Sequence, residues 1–160
     1  VEGSQHALEP VHLKSCIDEA IHLLQLNKET KPVIYENLCS GAHYVIADSQ
    51  RLLQVFVNLL SNARDASPKH SPITIDCSIS GAHVFINISD QGSGISREHQ
   101  EQIFDPFFTT KEAGEGTGLG LSLVYTIVEE LNGHITVESP IEETQTGTRF
   151  TIRLDHHKPE

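Results

Sequence analysis

The 160-residue chain predicts a single α+β domain, a two-layer sandwich in which three helices cover one face of a mixed, mainly antiparallel sheet. Three observations point there. Three segments repeat apolar residues at three- and four-residue steps. Between and after them lie short runs rich in β-branched and aromatic residues, broken by Gly, Pro and Ser. Hydrophobic residues make up 38% and charged residues 21%, which excludes a disordered chain, and no apolar run approaches the roughly 20 residues of a membrane span.

Residues 1–9 read as a linker remnant, with neither a basic nor an apolar leader pattern, and the domain is expected over 10–154, followed by a polar tail at 155–160. After Pro10, residues Val11, Leu13, Ile17, Ala20, Ile21 and Leu24 predict an amphipathic helix ending near Asn27. Strands follow over 33–38 and 44–47, around a Ser40-Gly41 turn. Asp48 is a suitable N-cap for the longest helix, whose stripe of Leu52, Val55, Phe56, Leu59, Leu60, Ala63 and Ala66 stops at Ser67-Pro68. Runs 73–80 and 83–89 alternate around Gly81 as a hairpin.

From Asp90 to Gly120 the texture changes, with six glycines and one short helical stretch over 97–104. A connection this long inside a compact domain is usually functional. Helical periodicity resumes from Leu119 to Leu131 and closes at Asn132-Gly133. Strands over 135–138 and 148–154, joined through the acidic stretch at Glu142 and Glu143, complete the sheet.

Lys plus Arg number 11 against 22 Asp plus Glu, a formal balance of −11. Such a surface repels nucleic acid and anionic lipid, so an anionic ligand needs local backbone N–H groups, one or two cations, or a metal. Cys16, Cys39 and Cys77 are odd in number and lack a CxxC spacing, which favours reduced thiols in a cytosolic compartment.

Asn58, Asn62 and Asp65 share one side of the long helix, about 110° from the centre of its apolar stripe at 100° per residue. A solvated face would suffice to explain them. Two Asn inside a helix nonetheless lower its intrinsic stability, and amide oxygens suit Mg²⁺, which keeps several waters and takes few protein ligands. Asp90 ends a strand and is followed by Gly92 and Gly94, so a carboxylate can face an exocyclic amine while backbone approaches a flat ring. Gly114, Gly116, Gly118 and Gly120 open a helix, where free N–H groups and the helix dipole favour phosphate. The pattern is neither a dinucleotide-binding fingerprint nor a Walker A loop.

Four ordered motifs resemble a known family: Asn58-Leu59-Leu60-Ser61-Asn62-Ala63, Asp90-Gln91-Gly92-Ser93-Gly94-Ile95, Phe104-Asp105-Pro106-Phe107-Phe108 and Gly116-Thr117-Gly118-Leu119-Gly120-Leu121. They look like the N, G1, F and G2 boxes of the catalytic ATP-binding domain of bacterial sensor histidine kinases, within the Bergerat-type (GHKL) ATPases. Gly147-Thr148-Arg149-Phe150 resembles the family's terminal Gly-Thr strand. The resemblance implies that Asp90 reads the adenine amino group, that Asn62, with Asn58 beside it, ligates Mg²⁺, and that Gly92 and Gly94 shape the adenine pocket. It further implies that Gly116, Gly118 and Gly120 offer N–H groups to the phosphates, and that residues of about 91–117 form an ATP lid anchored by Phe104 and Phe107. Ile95, Thr110, Thr117, Leu119, Leu121 and Thr148 complete the expected contacts, with Asp65 at the border. Many members carry a base where Asp65 stands here. Arg64 lies roughly 130° around the helix from the Asn58 side, so Lys111 is the candidate to neutralise the γ-phosphate, alongside the reading of a solvated lid lysine.

In gyrase-like relatives of this fold the position of Asn58 is a water-activating Glu. An amide accepts no proton at neutral pH, so the resemblance implies in-line transfer of the γ-phosphoryl group of Mg·ATP to a neutral imidazole rather than general-base hydrolysis. None of the ten histidines precedes Asp or Glu, as the family's phosphoacceptor does, so the acceptor and dimerisation helices are expected upstream. The implied partners are those helices and a response regulator, in a cytoplasmic, dimeric parent protein whose isolated domain is monomeric. A hydrolytic ATPase and a non-catalytic nucleotide sensor are the rival readings.

Overall fold

The computed structural model describes residues 7–41, 43–105 and 120–157. Its element order begins with β1 (Glu9–His12), α1 (Leu13–Gln25), β2 (Ile34–Asn37), β3 (Tyr44–Ala47) and α2 (Ser49–Ala66). It continues with β4 (Pro72–Ser80), β5 (His83–Asp90), α3 (Arg97–Gln100), α4 (Gly120–Glu130), β6 (His134–Glu138) and β7 (Thr148–Asp155). Five strands form one sheet in the order β2-β4-β5-β7-β6. Helices α1, α2 and α4 line its inner face, as the apolar stripes require.

Residue type explains both ends of α2 and the end of α4. The Asp48 carboxylate accepts N–H bonds from Gln50 at 2.9 Å and Arg51 at 3.3 Å, satisfying two of the donors that open α2. Its stripe of Leu52, Val55, Phe56, Leu59, Leu60 and Ala63 is buried against the sheet. Fully burying one such large side chain contributes about 1.5 to 3 kcal/mol. At the other end Ser67 donates its hydroxyl to the Ala63 carbonyl, while Lys31 donates to the carbonyls of Asp65 and Ser67 at 2.9 Å each. A cation there complements the negative end of the helix dipole. Helix α4 ends as Asn132, at φ 58°, turns left-handed and Gly133 N–H returns to the Val128 carbonyl.

Strands 33–38 and 44–47 do not pair with one another as a turn at Ser40-Gly41 suggests. Strand β2 runs parallel to β4, because the path between them contains the long crossover helix α2. Strand β3 leaves the main sheet to pair antiparallel with β1, giving a separate two-stranded ribbon. Strand β1 includes Pro10, which an edge strand tolerates, and it occupies the start of the segment that periodicity assigned to a helix. Helix α3 is shorter than the 97–104 stretch, ending at Gln100.

One further expectation is corrected. Cys39 and Cys77 are joined in a disulfide that ties the end of β2 to β4, so only the buried Cys16 remains a free thiol. Parallel neighbours β2 and β4 bring together residues 38 apart in sequence, and the argument from thiols to a reducing compartment falls away. Past the expected domain end, Asp155 belongs to β7, His156 N–H bonds the Ala82 carbonyl and His157 N–H the Tyr44 carbonyl, each at 2.8 Å. His157 thereby joins the main sheet to the β1-β3 ribbon. No described helix is long and apolar enough to cross a membrane.

The outer sheet face is polar and organised by register. Asp76, Asn87 and Thr151 lie side by side on β4, β5 and β7, with Asn87 donating to Asp76 at 2.9 Å and Thr151 donating to Asn87 at 2.6 Å. One residue pair nearer the end of β5, Arg149 bonds Ser89, Glu138 and Glu143.

Candidate functional site

Asp90 is the last residue of β5 and lies opposite Thr148, the first of β7. Pairing at this strand end brings Asp90 beside the turn of Gly147 and Thr148, and the carboxylate is buried, with 5% exposure. Its Oδ1 accepts N–H bonds from Gly92 at 2.9 Å and Thr148 at 3.2 Å. Both bonds fall on one oxygen. Oδ2 has no partner among the described residues, which leaves one carboxylate oxygen for a donor from outside the chain. Burial pushes the Asp90 carboxyl above the ordinary range, and the two N–H bonds oppose that rise.

Backbone approach explains the glycines around it. A Cβ on Gly92 would come 2.3 Å from the Ala66 carbonyl oxygen, so only glycine lets this segment lie against the end of α2. At Gly94, φ is +89° and a Cβ would meet Ser139 Oγ at 2.9 Å. Ile95 N–H donates to that same hydroxyl at 2.7 Å. Ser139, together with Gln100, which donates to the carbonyls of Ile95 and Ser139, is missed by sequence reasoning. Neither belongs to a motif, and Ser139 reaches the site only because β6 and β7 fold back beside β5.

The Asn-bearing side of α2 faces the start of α4. Asn58 Nδ2 donates to the Gly120 carbonyl at 3.3 Å, so the amide oxygen is the group it leaves available. Asn62 follows one turn later, half-buried, and its side chain makes no hydrogen bond with the described residues. An unsatisfied amide beside another fits a cation that takes few protein ligands. Among the described residues no group of three or more His, Cys, Asp or Glu side chains could hold a metal ion.

Asp65 is exposed and its Oδ1 takes the Arg64 guanidinium at 3.3 Å. Arg64 also lies beside the Tyr35 hydroxyl, where its charge opposes the rise that burial causes in the Tyr35 pKa. The guanidinium is thereby engaged on the Tyr35 side of α2, as its helical position relative to Asn58 and Asn62 requires.

Phe104 is half-buried, 5.5 Å between ring centres from Tyr125 of α4 and 6.3 Å from Phe150 of β7. This aromatic group fastens the chain after α3 to both layers. Gly120 opens α4 and Leu121 packs against the core. Phe107, Thr110, Lys111, Gly116, Thr117, Gly118 and Leu119 lie outside the described residues.

Comparison with known proteins supplies the family. The family described as histidine kinase-, DNA gyrase B-, and HSP90-like ATPase matches residues 47–158. Sensor histidine kinase ZraS of Escherichia coli is 39% identical over 155 residues, covering 96% of this chain and 33% of ZraS. Sensor kinase CckA of Brucella abortus is 40% identical over 129 residues, covering 71% of this chain and 14% of CckA. The chain thus spans a third or less of the length of these curated relatives. Among solved structures, the mycobacterial sensor histidine kinase MprB has a TM-score of 0.82 at 27% identity, with 95% of this chain and 99% of that chain covered. The nucleotide-free catalytic domain of histidine kinase ThkA has a TM-score of 0.80 at 29% identity, with 92% and 95% covered. A matched family region covering most of the domain, on the same α+β architecture, establishes that this chain belongs to the histidine kinase-, DNA gyrase B-, and HSP90-like ATPase family.

Proposed function

We propose that this chain is the ATP-binding catalytic part of a two-component sensor histidine kinase, transferring the γ-phosphoryl group of ATP to a histidine on dimerisation helices of the same parent protein. The observation that carries it is Asp90, buried with Oδ1 saturated by Gly92 and Thr148 and Oδ2 left to accept the adenine amino group. Sensor kinases among the relatives support the reaction class.

Gly92 and Gly94 let backbone approach the ring, and Ile95 and Phe104 bound the pocket from the side of α3. The phosphates lie toward the start of α4, where Gly116, Gly118 and Gly120 would offer N–H groups and Lys111 a positive charge. Asn62 and Asn58 would hold Mg²⁺, whose charge, when bound, offsets that of the phosphates. In the transfer the acceptor imidazole nitrogen forms the new P–N bond as the bond from the γ-phosphorus to the β,γ-bridging oxygen breaks, and ADP leaves. Asn58 keeps no proton-accepting group at the site, which disfavours activation of water. None of the ten histidines is followed by Asp or Glu, as the family's phosphoacceptor is, so the acceptor is placed on the upstream helices. A response regulator then takes the phosphoryl group, in a dimeric parent protein on the cytoplasmic side, where ATP is supplied; the isolated domain is monomeric.

Mixing the chain with an acceptor-helix fragment of its parent and γ-labelled ATP tests this. Label should move to the fragment's histidine without steady ATP consumption by the chain alone. Continuous multiple-turnover hydrolysis would instead assign a gyrase-like ATPase, and binding without labelling would assign a nucleotide sensor.

A further inference from the structure

We infer that Ser139 is a positioning residue for adenine-nucleotide binding, its hydroxyl setting the spacing between the Asp90-Thr148 pair and the backbone at Gly94 and Ile95. This rests on the nucleotide reading of the Asp90 site.

The hydroxyl has one hydrogen and two acceptor positions, and three partners use all of them. It accepts the Ile95 N–H at 2.7 Å and donates to the Gly147 carbonyl at 2.8 Å, and Thr148 Oγ1 at 3.1 Å supplies the third bond. Gln100 fastens the same knot from α3, donating from one amide nitrogen to the Ile95 carbonyl at 2.8 Å and the Ser139 carbonyl at 2.9 Å. The knot therefore joins two stretches that are distant in sequence: residues 95–100, from the backbone after β5 to the end of α3, and residues 139–148, from the end of β6 to the entry to β7.

The turn between β6 and β7 has further closures besides that hydroxyl. Ile141 N–H bonds the Thr146 carbonyl at 3.1 Å, Gln145 N–H bonds the Ile141 carbonyl at 2.7 Å, and Arg149 clamps Glu138 and Glu143 from outside. Two bonds of the Ser139 hydroxyl cross that turn to Gly147 and Thr148 and the third reaches Ile95, so all three partners also wall the Asp90 site. Thr148 links it to the carboxylate, because Thr148 N–H holds Asp90 Oδ1. Removing the hydroxyl frees Thr148 and Ile95 together, so the carboxylate loses its fixed aim and the backbone beside it loses its place.

Calorimetric titration of the whole chain with ADP and with adenosine, at a temperature well below the melting transition, tests the inference. Ser139→Ala should weaken both ligands by a similar factor, about 5- to 30-fold, because the disturbance lies at the base rather than the phosphates. The Ile95 amide resonance should shift in the same variant without ligand. Gln100→Glu, which retains helix shape but loses the donor, should weaken both ligands by a smaller common factor, and it keeps the question open to experiment if Ser139→Ala does not fold. Wild-type binding with unchanged affinity in the folded variants overturns the positioning role and leaves the nucleotide site standing. A loss confined to ADP, with adenosine unaffected, also overturns it. A wild-type chain with no affinity for either ligand overturns the nucleotide reading and this inference with it.

Discussion

Gly147 passes so close to Asp90 that a Cβ on it would lie 2.1 Å from the Asp90 carbonyl oxygen, and its φ is +79°. Both facts exclude a side chain, and both arise because the first pair of the β5-β7 ladder must close over the buried carboxylate. Gly147→Ala should therefore destabilise the domain by about 2 to 4 kcal/mol. In a domain of this size that lowers the melting temperature by roughly 5 to 15 °C. Thermal melting checks it; a change of a degree or less would show that the backbone can move aside.

Asn62, whose amide has no hydrogen-bond partner among the described residues, lies one turn from Asn58, whose own nitrogen is held by the Gly120 carbonyl. Asn62→Ala should reduce the magnesium dependence of ATP affinity, measured as the ratio of dissociation constants with chelator and with Mg²⁺, by about tenfold or more. Adenosine affinity should stay as in the wild type. An unaltered ratio would remove Asn62 from the metal site.

The Cys39-Cys77 bond closes a loop of 38 residues, for which loss of chain entropy in the unfolded state gives about 2 to 4 kcal/mol. Reductant should lower the melting temperature by roughly 5 to 15 °C. Thiol titration in denaturant without reductant should find one free thiol per chain, that of Cys16, which burial pushes up to about 12 in the folded state. Three reactive thiols would contradict the bond.

His43 is buried beside His156, with ring centres 6.2 Å apart, and its Nδ1 has no hydrogen-bond partner among the described residues. Burial first, then the neighbouring His156 and His12, hold its imidazole below the ordinary 6.5. The unfolded chain therefore binds more protons once pH falls below about 6.5, and stability declines from there down through the folded-state value. One such proton gives a slope of at most about 1.4 kcal/mol per pH unit. Denaturant melts between pH 7.5 and 5 should show this decline, and His43→Phe should flatten it.

Much of this architecture was legible in the sequence because burial imposes periodicity. The stripe from Leu52 to Ala63, the alternation of β4 and β5 and the Asn132-Gly133 stop are local signals with a single structural solution. The ribbon of β1 and β3 was not legible: four residues including Pro10 carry no strand signal, and their partner is chosen by tertiary packing. The disulfide escaped for a related reason, since only the parallel pairing of β2 with β4 brings Cys39 to Cys77. Around Asp90, the glycines announce close backbone approach, and the structure does gather Gly92, Gly94, Ile95 and Thr148 there. Ser139 and Gln100 carry no comparable signal. Their contribution depends on hydrogen bonds 39 to 44 residues apart in sequence.

Titration of Mg·ATP into the wild-type chain and into Asp90→Ala is the most direct test of the nucleotide site. The wild type should bind, and the variant should lose about 10- to 150-fold in affinity, the value of a charge-assisted hydrogen bond. Equal affinities in the two proteins, or no binding by the wild type at saturating nucleotide, would contradict the assignment of Asp90 as the adenine-reading group.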